Sequence, residues 1–209
     1  MMTTTPPGRQ RLRPADRSEA ILAAATEAFA VAPYDQVSMA AVGRACGASE
    51  ALVFRYFESK AGLYAAVVGA ELRRLAERQE AAVAALPTNA SARDLVRVLV
   101  EATLDQMASA DNPSASPFFS AQVDPPEVDQ VRADYRRDLA ETLLGRLRNP
   151  DWQRGRIGVV GFLGFLGAAA QQWVAAGCPA DQRGPLVEAT LGALQGAIGD
   201  WDSLAPPGR

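Results

Sequence analysis

Between residues 38 and 60 the chain reads SMAAVGRACGASEALVFRYFESK, and its serines and glycines leave few ways to fold it. Serine is a favoured helix N-cap, since its hydroxyl accepts from an otherwise unpaired N–H of the first turn. It stands at 38, 49 and 59. Val37 precedes the first cap and can staple against Val42. Gly47 can take the left-handed conformation that closes a helix. The spacing therefore predicts one short helix from Ser38 to Gly47 and a second over 50–57, closed by Glu58. Only Gly47 and Ala48 separate them before the Ser49 cap, the connection length of a helix-turn-helix. On the second helix Val53 and Phe57 share a face and point inward. Leu52, Phe54 and Tyr56 remain, large for an idle surface, beside Arg55 and Lys60.

The rest of the chain reads as helix too. Ile21, Ala24, Ala25, Ala28 and Phe29 form one apolar stripe on a helix over 15–32 that ends before Pro33. A long helix runs over 60–86, to Pro87. Ser91 and Asp94 resemble a capping box opening a helix to about 109. A proline-broken stretch allows a short helix near 116–122, and three more follow over 127–148, 153–176 and 184–201. The predicted fold is all-α, of about nine helices: a basic arm over 1–14, a three-helix helix-turn-helix domain over 15–60, a larger helical domain over 61–203, and a tail over 204–209.

Composition narrows the function classes. The chain has no histidine and two cysteines, Cys46 and Cys178, so neither a disulfide framework nor a metal site is expected. A Ser-His-Asp or Cys-His catalytic set is excluded, and no glycine-rich phosphate loop appears. No cofactor is expected. The N-terminus lacks the apolar stretch of a signal peptide, so a cytoplasmic protein is expected. Ile157 to Ala170 carries fourteen residues without a polar side chain, short of the roughly 20 that span a membrane, and reads as a core helix. Residues 1–60 hold seven Arg or Lys against six Asp or Glu, and the remainder fourteen against eighteen. A slightly basic end on an acidic body is compatible with nucleic-acid binding through that end.

ILAAATEAF, SMAAVGRACGAS and VFRYFESKAGL, within residues 17–64, resemble the DNA-binding domain of the tetracycline-repressor (TetR) family of bacterial transcriptional regulators. The resemblance covers about a quarter of the chain. It implies that Ser38, Tyr56 and Lys60 meet phosphates, that Glu50, Ala51 and Leu52 meet bases, that Arg55 reaches a phosphate or a guanine edge, and that Ser49 and Phe54 belong to the same DNA-facing set. Glutamate can accept from a cytosine amino group and small apolar side chains touch thymine methyls. Three positions depart from the family pattern. Phe54 replaces a common tyrosine, Leu52 a small hydroxyl residue, and Gly43 an alanine, the last at about 0.5–1 kcal/mol of helix stability. Arg9, Arg11 and Arg13 form an arm that either reaches a minor groove or stays solvated.

The resemblance also implies a homodimer on a palindromic operator, and a small-molecule effector pocket in the larger domain. Gly158, Gly161, Gly164 and Gly167 recur every third residue, and Gly192 and Gly196 stand beside Leu191, Leu194 and Ile198. Interior glycines cost roughly 1 kcal/mol each, so a close helix–helix approach is expected there, placed at the dimer interface. Met107, Phe118, Phe119, Tyr135, Phe162, Phe165 and Trp173 are the expected pocket lining, for a mainly apolar ligand. The expected function is a repressor released from DNA by that ligand, without a membrane partner. The alternative is a helical interaction or ligand-binding module without sequence-specific DNA binding.

Overall fold

The computed structural model describes residues 13–108, 125–147 and 152–199. Among the described residues eight α-helices follow one another: α1 Pro14–Val31, α2 Met39–Ala45, α3 Glu50–Phe57, α4 Lys60–Ala84, α5 Ala92–Ala108, α6 Pro126–Leu147, α7 Trp152–Ala175 and α8 Ala180–Ile198. A single 3-10 turn, Tyr34–Gln36, joins α1 to α2. There is no strand among the described residues, as the sequence predicts. The expected short helix near 116–122, Arg9, Arg11 and the C-terminal tail lie outside the described residues.

Local chemistry sets the boundaries. Pro14 sits at the first position of α1, where its missing N–H costs nothing. The hydroxyls of Ser38, Ser49 and Ser59 accept from the N–H groups of Ala41, Leu52 and Gly62 at 3.1, 3.2 and 2.9 Å. Gly47 takes φ +67° after α2. The last helix starts at Ala180 rather than at 184, because Pro185 near its beginning interrupts the hydrogen-bond ladder without ending it.

Two cores result. The first joins Ile21, Ala25 and Phe29 of α1 to Val42 of α2, Val53 of α3 and Leu63, Val67 and Leu72 of α4. It continues past residue 60 along α4 and takes in Val128 from α6. Phe29, Tyr34 and Tyr64 close its end, with ring centroids 4.6 Å apart for Phe29–Tyr64 and 5.3 Å for Tyr34–Tyr64. The second core brings together α5, the C-terminal half of α6, α7 and α8 around Leu95, Leu104, Leu143, Leu191 and Leu194.

α7 corrects one expectation. Its apolar run is not simply a core helix: only 33% of its most apolar window is buried, and by length and composition the helix could cross a membrane. Val159, Phe162, Leu166, Ala170 and Trp173 face the second core. Ile157, Val160 and Phe165 are 69%, 57% and 42% exposed. The sequence hides this split because both sides of the helix are apolar, so no periodicity separates inside from outside.

Candidate nucleic-acid interface and effector cavity

The helix-turn-helix is held by its backbone as much as by its core. Ala48 N–H donates to the Gly43 carbonyl at 2.8 Å, folding the turn back onto α2. A Cβ on Gly43 would stand 2.8 Å from the Ala48 oxygen. The glycine there is a requirement of close approach, not merely a weak helix residue. At the other end of α3, Glu58 takes φ +60° and Ser59 N–H donates to the Phe57 carbonyl at 2.6 Å, a tight γ-type turn. α4 starts so close to this turn that a Cβ on Gly62 would lie 2.4 Å from the Phe57 oxygen. Glu58 closes α3 as the sequence predicts, whereas spacing does not mark Gly62; a glycine within the first turn of a long helix is the available signal.

These joints orient α3. Val53 is fully buried, and Phe57 and Tyr56 pack against the first core. Ser38, Ser49, Glu50, Ala51, Phe54 and Arg55 are exposed, and Leu52 is half-buried. Phe54 is 41% exposed. The Arg55 guanidinium lies 5.8 Å from the Tyr56 ring centroid. The structure thus brings eight of the nine expected DNA-facing residues to one stretch from the α2 cap to the end of α3, with Lys60 directly after it. The Lys60 ammonium donates to the Asp35 carbonyl at 3.1 Å and sits 4.5 Å over the Tyr34 ring centroid. The 3-10 turn therefore seats this lysine, a contact that sequence spacing does not reveal.

The larger domain holds two adjoining cavities. One, of about 390 Å³, lies between α4 and α6, bordered by Gly69, Leu72, Gln79, Val131, Tyr135 and Leu139. Arg73, Arg146, Glu80, Asp134 and Asp138 mix both signs of charge at its edge. The second, of about 270 Å³, lies among α4, α5, α6 and α7 and shares Leu72, Tyr135 and Leu139 with the first. A hydrogen-bonded chain crosses the wall between them. Tyr135 donates to Gln79 Oε1 at 3.2 Å, Gln79 Nε2 donates to Thr103 Oγ1 at 3.1 Å, and Thr103 donates to the Leu99 carbonyl at 2.8 Å. Burial, opposed in part by the Gln79 hydrogen bond, holds the Tyr135 hydroxyl above the usual phenol range, so it stays a neutral donor. Glu71 is fully buried beside them; Arg74 donates to it, as does Gln106 at 3.5 Å.

Several expected lining residues are elsewhere. Met107 and Tyr135 border the second cavity. Phe162 is buried in the second core without bordering either cavity, and Phe165 is on the surface. Trp173 is buried, and its indole N–H donates to the Pro179 carbonyl at 3.0 Å, closing the α7–α8 turn. Phe118 and Phe119 lie outside the described residues. Aromatic type marks core as readily as pocket, so residue type alone draws the lining too widely.

The glycine ridges divide as well. A Cβ on Gly158 would meet Ile198 Cγ2 at 2.7 Å, so this glycine serves the α7–α8 contact within the chain. Leu191, Leu194 and Ile198 lie in the second core and offer no side chain to a partner. Gly161, Gly164, Gly167, Gly192 and Gly196 have nothing within 4 Å of an added Cβ, and all but the half-buried Gly167 are exposed.

Residues 21–67 match the family model for bacterial regulatory proteins of the tetR family. No curated protein matches the chain. Among solved structures, a TetR-like transcriptional regulator from Rhodococcus sp. RHA1 is 25% identical, with 91% of this chain and 100% of that one aligned at a TM-score of 0.65. A TetR-family regulator from Streptomyces coelicolor aligns over 88% of this chain and 80% of its own at 18% identity and TM-score 0.67. The fatty acid degradation regulator FadR from Bacillus halodurans aligns over 90% and 98% at 18% identity and TM-score 0.67. The reading helix and the family match coincide on the same residues: the N-terminal domain of this chain is a DNA-binding domain of the tetR type, carried on the fold of a TetR-like transcriptional regulator.

Proposed function

We propose that the protein is a cytoplasmic, non-enzymatic, homodimeric repressor that leaves a palindromic operator when a small molecule enters the cavities between α4 and α7. One observation carries this reading: the outward side of α3, from Glu50 to Arg55, is left uncovered by the chain's own fold. One short helix gives little affinity, so two are needed, and a two-fold dimer would set them on half-sites about 34–36 Å apart. The exposed apolar stripe Ile157, Val160 and Phe165 on α7 and the open glycines of α8 support that pairing. Exposed apolar area of this kind marks association surfaces. FadR from Bacillus subtilis, solved in complex with stearoyl-CoA, shares the fold at 16% identity and TM-score 0.61 over 86% of this chain and 97% of its own, and it supports an effector role for the cavities.

Selection of bound sequences from a random DNA pool tests the reading. Enrichment of a two-fold symmetric site is expected, with affinity falling steeply as salt rises. Lys60→Ala should weaken all sequences alike and lower the salt slope by about one, whereas Glu50→Ala should change base preference. A pool with no enriched sequence would overturn the assignment.

A further inference from the structure

We propose that Tyr34, together with the Asp35 carbonyl, is a positioning residue for DNA binding: it holds the Lys60 ammonium ready for a backbone phosphate without neutralising its charge. The inference rests on the DNA-facing role given to Lys60 above and adds to it a residue that lies outside α3. The Lys60 ammonium donates to the Asp35 carbonyl at 3.1 Å and lies 4.5 Å from the Tyr34 ring centroid, within reach of the negative ring face. The ring is itself fixed. Its centroid stands 5.3 Å from that of Tyr64 and 6.1 Å from that of Phe29, nearly parallel to the latter. The Gln36 N–H closes the turn on the Pro33 carbonyl at 3.0 Å. Buried Val37 anchors the chain directly after it, and Ser38, the cap of α2, follows. One turn therefore places two of the groups expected at phosphates.

Both partners of this lysine are neutral. A carboxylate would hold the ammonium and cancel its charge, whereas a carbonyl and a ring face hold it and leave the charge for a phosphate. Lys60 makes no salt bridge among the described residues. Burial first, and then the field of the Glu127 carboxylate on α6, raise the Tyr34 pKa, so the ring remains a neutral phenol. An ammonium carries three donors, and the Asp35 carbonyl takes one. Lys60 is half-buried, supported along one side without being enclosed. Its place is unfavourable for stability alone. It is the first residue of α4, at the positive end of the helix dipole, and no acidic residue in the first turn relieves it. A free lysine gives up rotamer freedom when it meets a phosphate; a seated one has already done so, and the contact is preorganised.

A double-mutant cycle in the full-length protein tests this, with affinity measured on a mixed-sequence duplex at low salt. A cation–π contact is worth about three- to fivefold, so with two reading heads Tyr34→Leu should weaken binding by about tenfold. In the Lys60→Ala background the same change should cost less than about twofold, since the group it positions is gone. Tyr34→Phe keeps the ring face and should bind within about twofold of wild type. Pentafluorophenylalanine at position 34 keeps the ring shape while its fluorines draw electron density from the face, and it should bind as weakly as Tyr34→Leu. Each variant is checked for cooperative melting; should Tyr34→Leu fail to fold, the comparison of Tyr34→Phe with the fluorinated ring decides alone. Equal losses from Tyr34→Leu with and without Lys60 would reduce the ring to packing and overturn the proposal. So would a Tyr34→Phe variant as weak as Tyr34→Leu, a fluorinated ring that binds like Tyr34→Phe, or wild-type affinity in Lys60→Ala. Sequence selection is a separate measurement. Coupling between Tyr34 and Lys60 on the mixed duplex, with no enriched site in the pool, would refute the operator reading and leave this one standing.

Discussion

Gly62 shows how a single backbone contact fixes the reading head. The α3–α4 joint turns through Glu58 at φ +60°, and it leaves the Phe57 carbonyl 2.4 Å from where a Gly62 Cβ would stand. Alanine normally favours a helix by up to about 1 kcal/mol over glycine. Here it must push a backbone oxygen aside, and overpacking of that kind costs about 1–3 kcal/mol. Gly62→Ala should therefore lower stability by about 1–2 kcal/mol in urea denaturation and weaken operator binding as α3 tilts. A variant as stable as the wild type would show that the joint yields freely. Individual side-chain assignments were legible where they follow from helical spacing, as with Val53 and Phe57 inward and Glu50, Ala51 and Arg55 outward. They were not legible where a distant backbone atom decides. In the sequence Gly43 is only a propensity cost, and the Ala48 oxygen at 2.8 Å shows what an alanine would meet. Nor does spacing tell that Lys60 rests on Tyr34 and Asp35.

At the scale of the helix, caps were the most legible feature. Each serine expected at 38, 49 and 59 caps its helix, because a capping hydroxyl needs only its own first turn to act. The same holds at α5. The Asp94 carboxylate accepts from the Ser91 hydroxyl at 2.7 Å and the Ser91 N–H at 3.0 Å, while Asp94 N–H donates back to Ser91 at 3.1 Å. The Ser91 hydroxyl, then its N–H, holds Asp94 below its ordinary carboxylate value. A group with a depressed pKa in the folded state stabilises it above the unfolded pKa, and that contribution fades as pH falls through the folded pKa. The difference in denaturation midpoint between wild type and Asp94→Ala should thus be present at about pH 7 and shrink by about pH 3. A constant difference would mean that the charge plays no part in the cap. What the element scale concealed was orientation: α7 is apolar all round, so its buried stripe and its exposed stripe could be separated only by the neighbours that α5 and α8 provide.

The whole molecule is organised around two helices that belong to more than one layer. α7 gives one side to the chain's own core and leaves Ile157, Val160 and Phe165 uncovered, and the dimer reading uses that side. A charge buried without a partner is strongly destabilising, by about 3–5 kcal/mol. Ile157→Glu, at a position 69% exposed in the single chain, should leave the fold intact and weaken self-association by at least about a hundredfold in analytical ultracentrifugation. An unchanged association constant would place the pairing surface elsewhere. α6 is the second such helix. Its Val128 is fully buried in the core of the reading head, whereas Val131 and Tyr135, one and two turns on, border the cavities. Space opened between α4 and α6 by an effector must be accommodated at Val128, because a packed helix moves as a unit and a close-packed interior does not absorb the change locally. Coupling between the sites is then the difference in how well that contact survives with and without ligand. Shortening it should loosen the transmission and spare the binding. Val128→Ala is expected to keep effector affinity within a factor of about two while reducing the effector-induced change in operator affinity by about 1 kcal/mol, within the range for residues that touch neither ligand. The measurement is an operator titration with and without a saturating effector. If the ligand effect survives Val128→Ala in full, the signal does not pass through α6, and the long α4, which also serves both cores, is the remaining route.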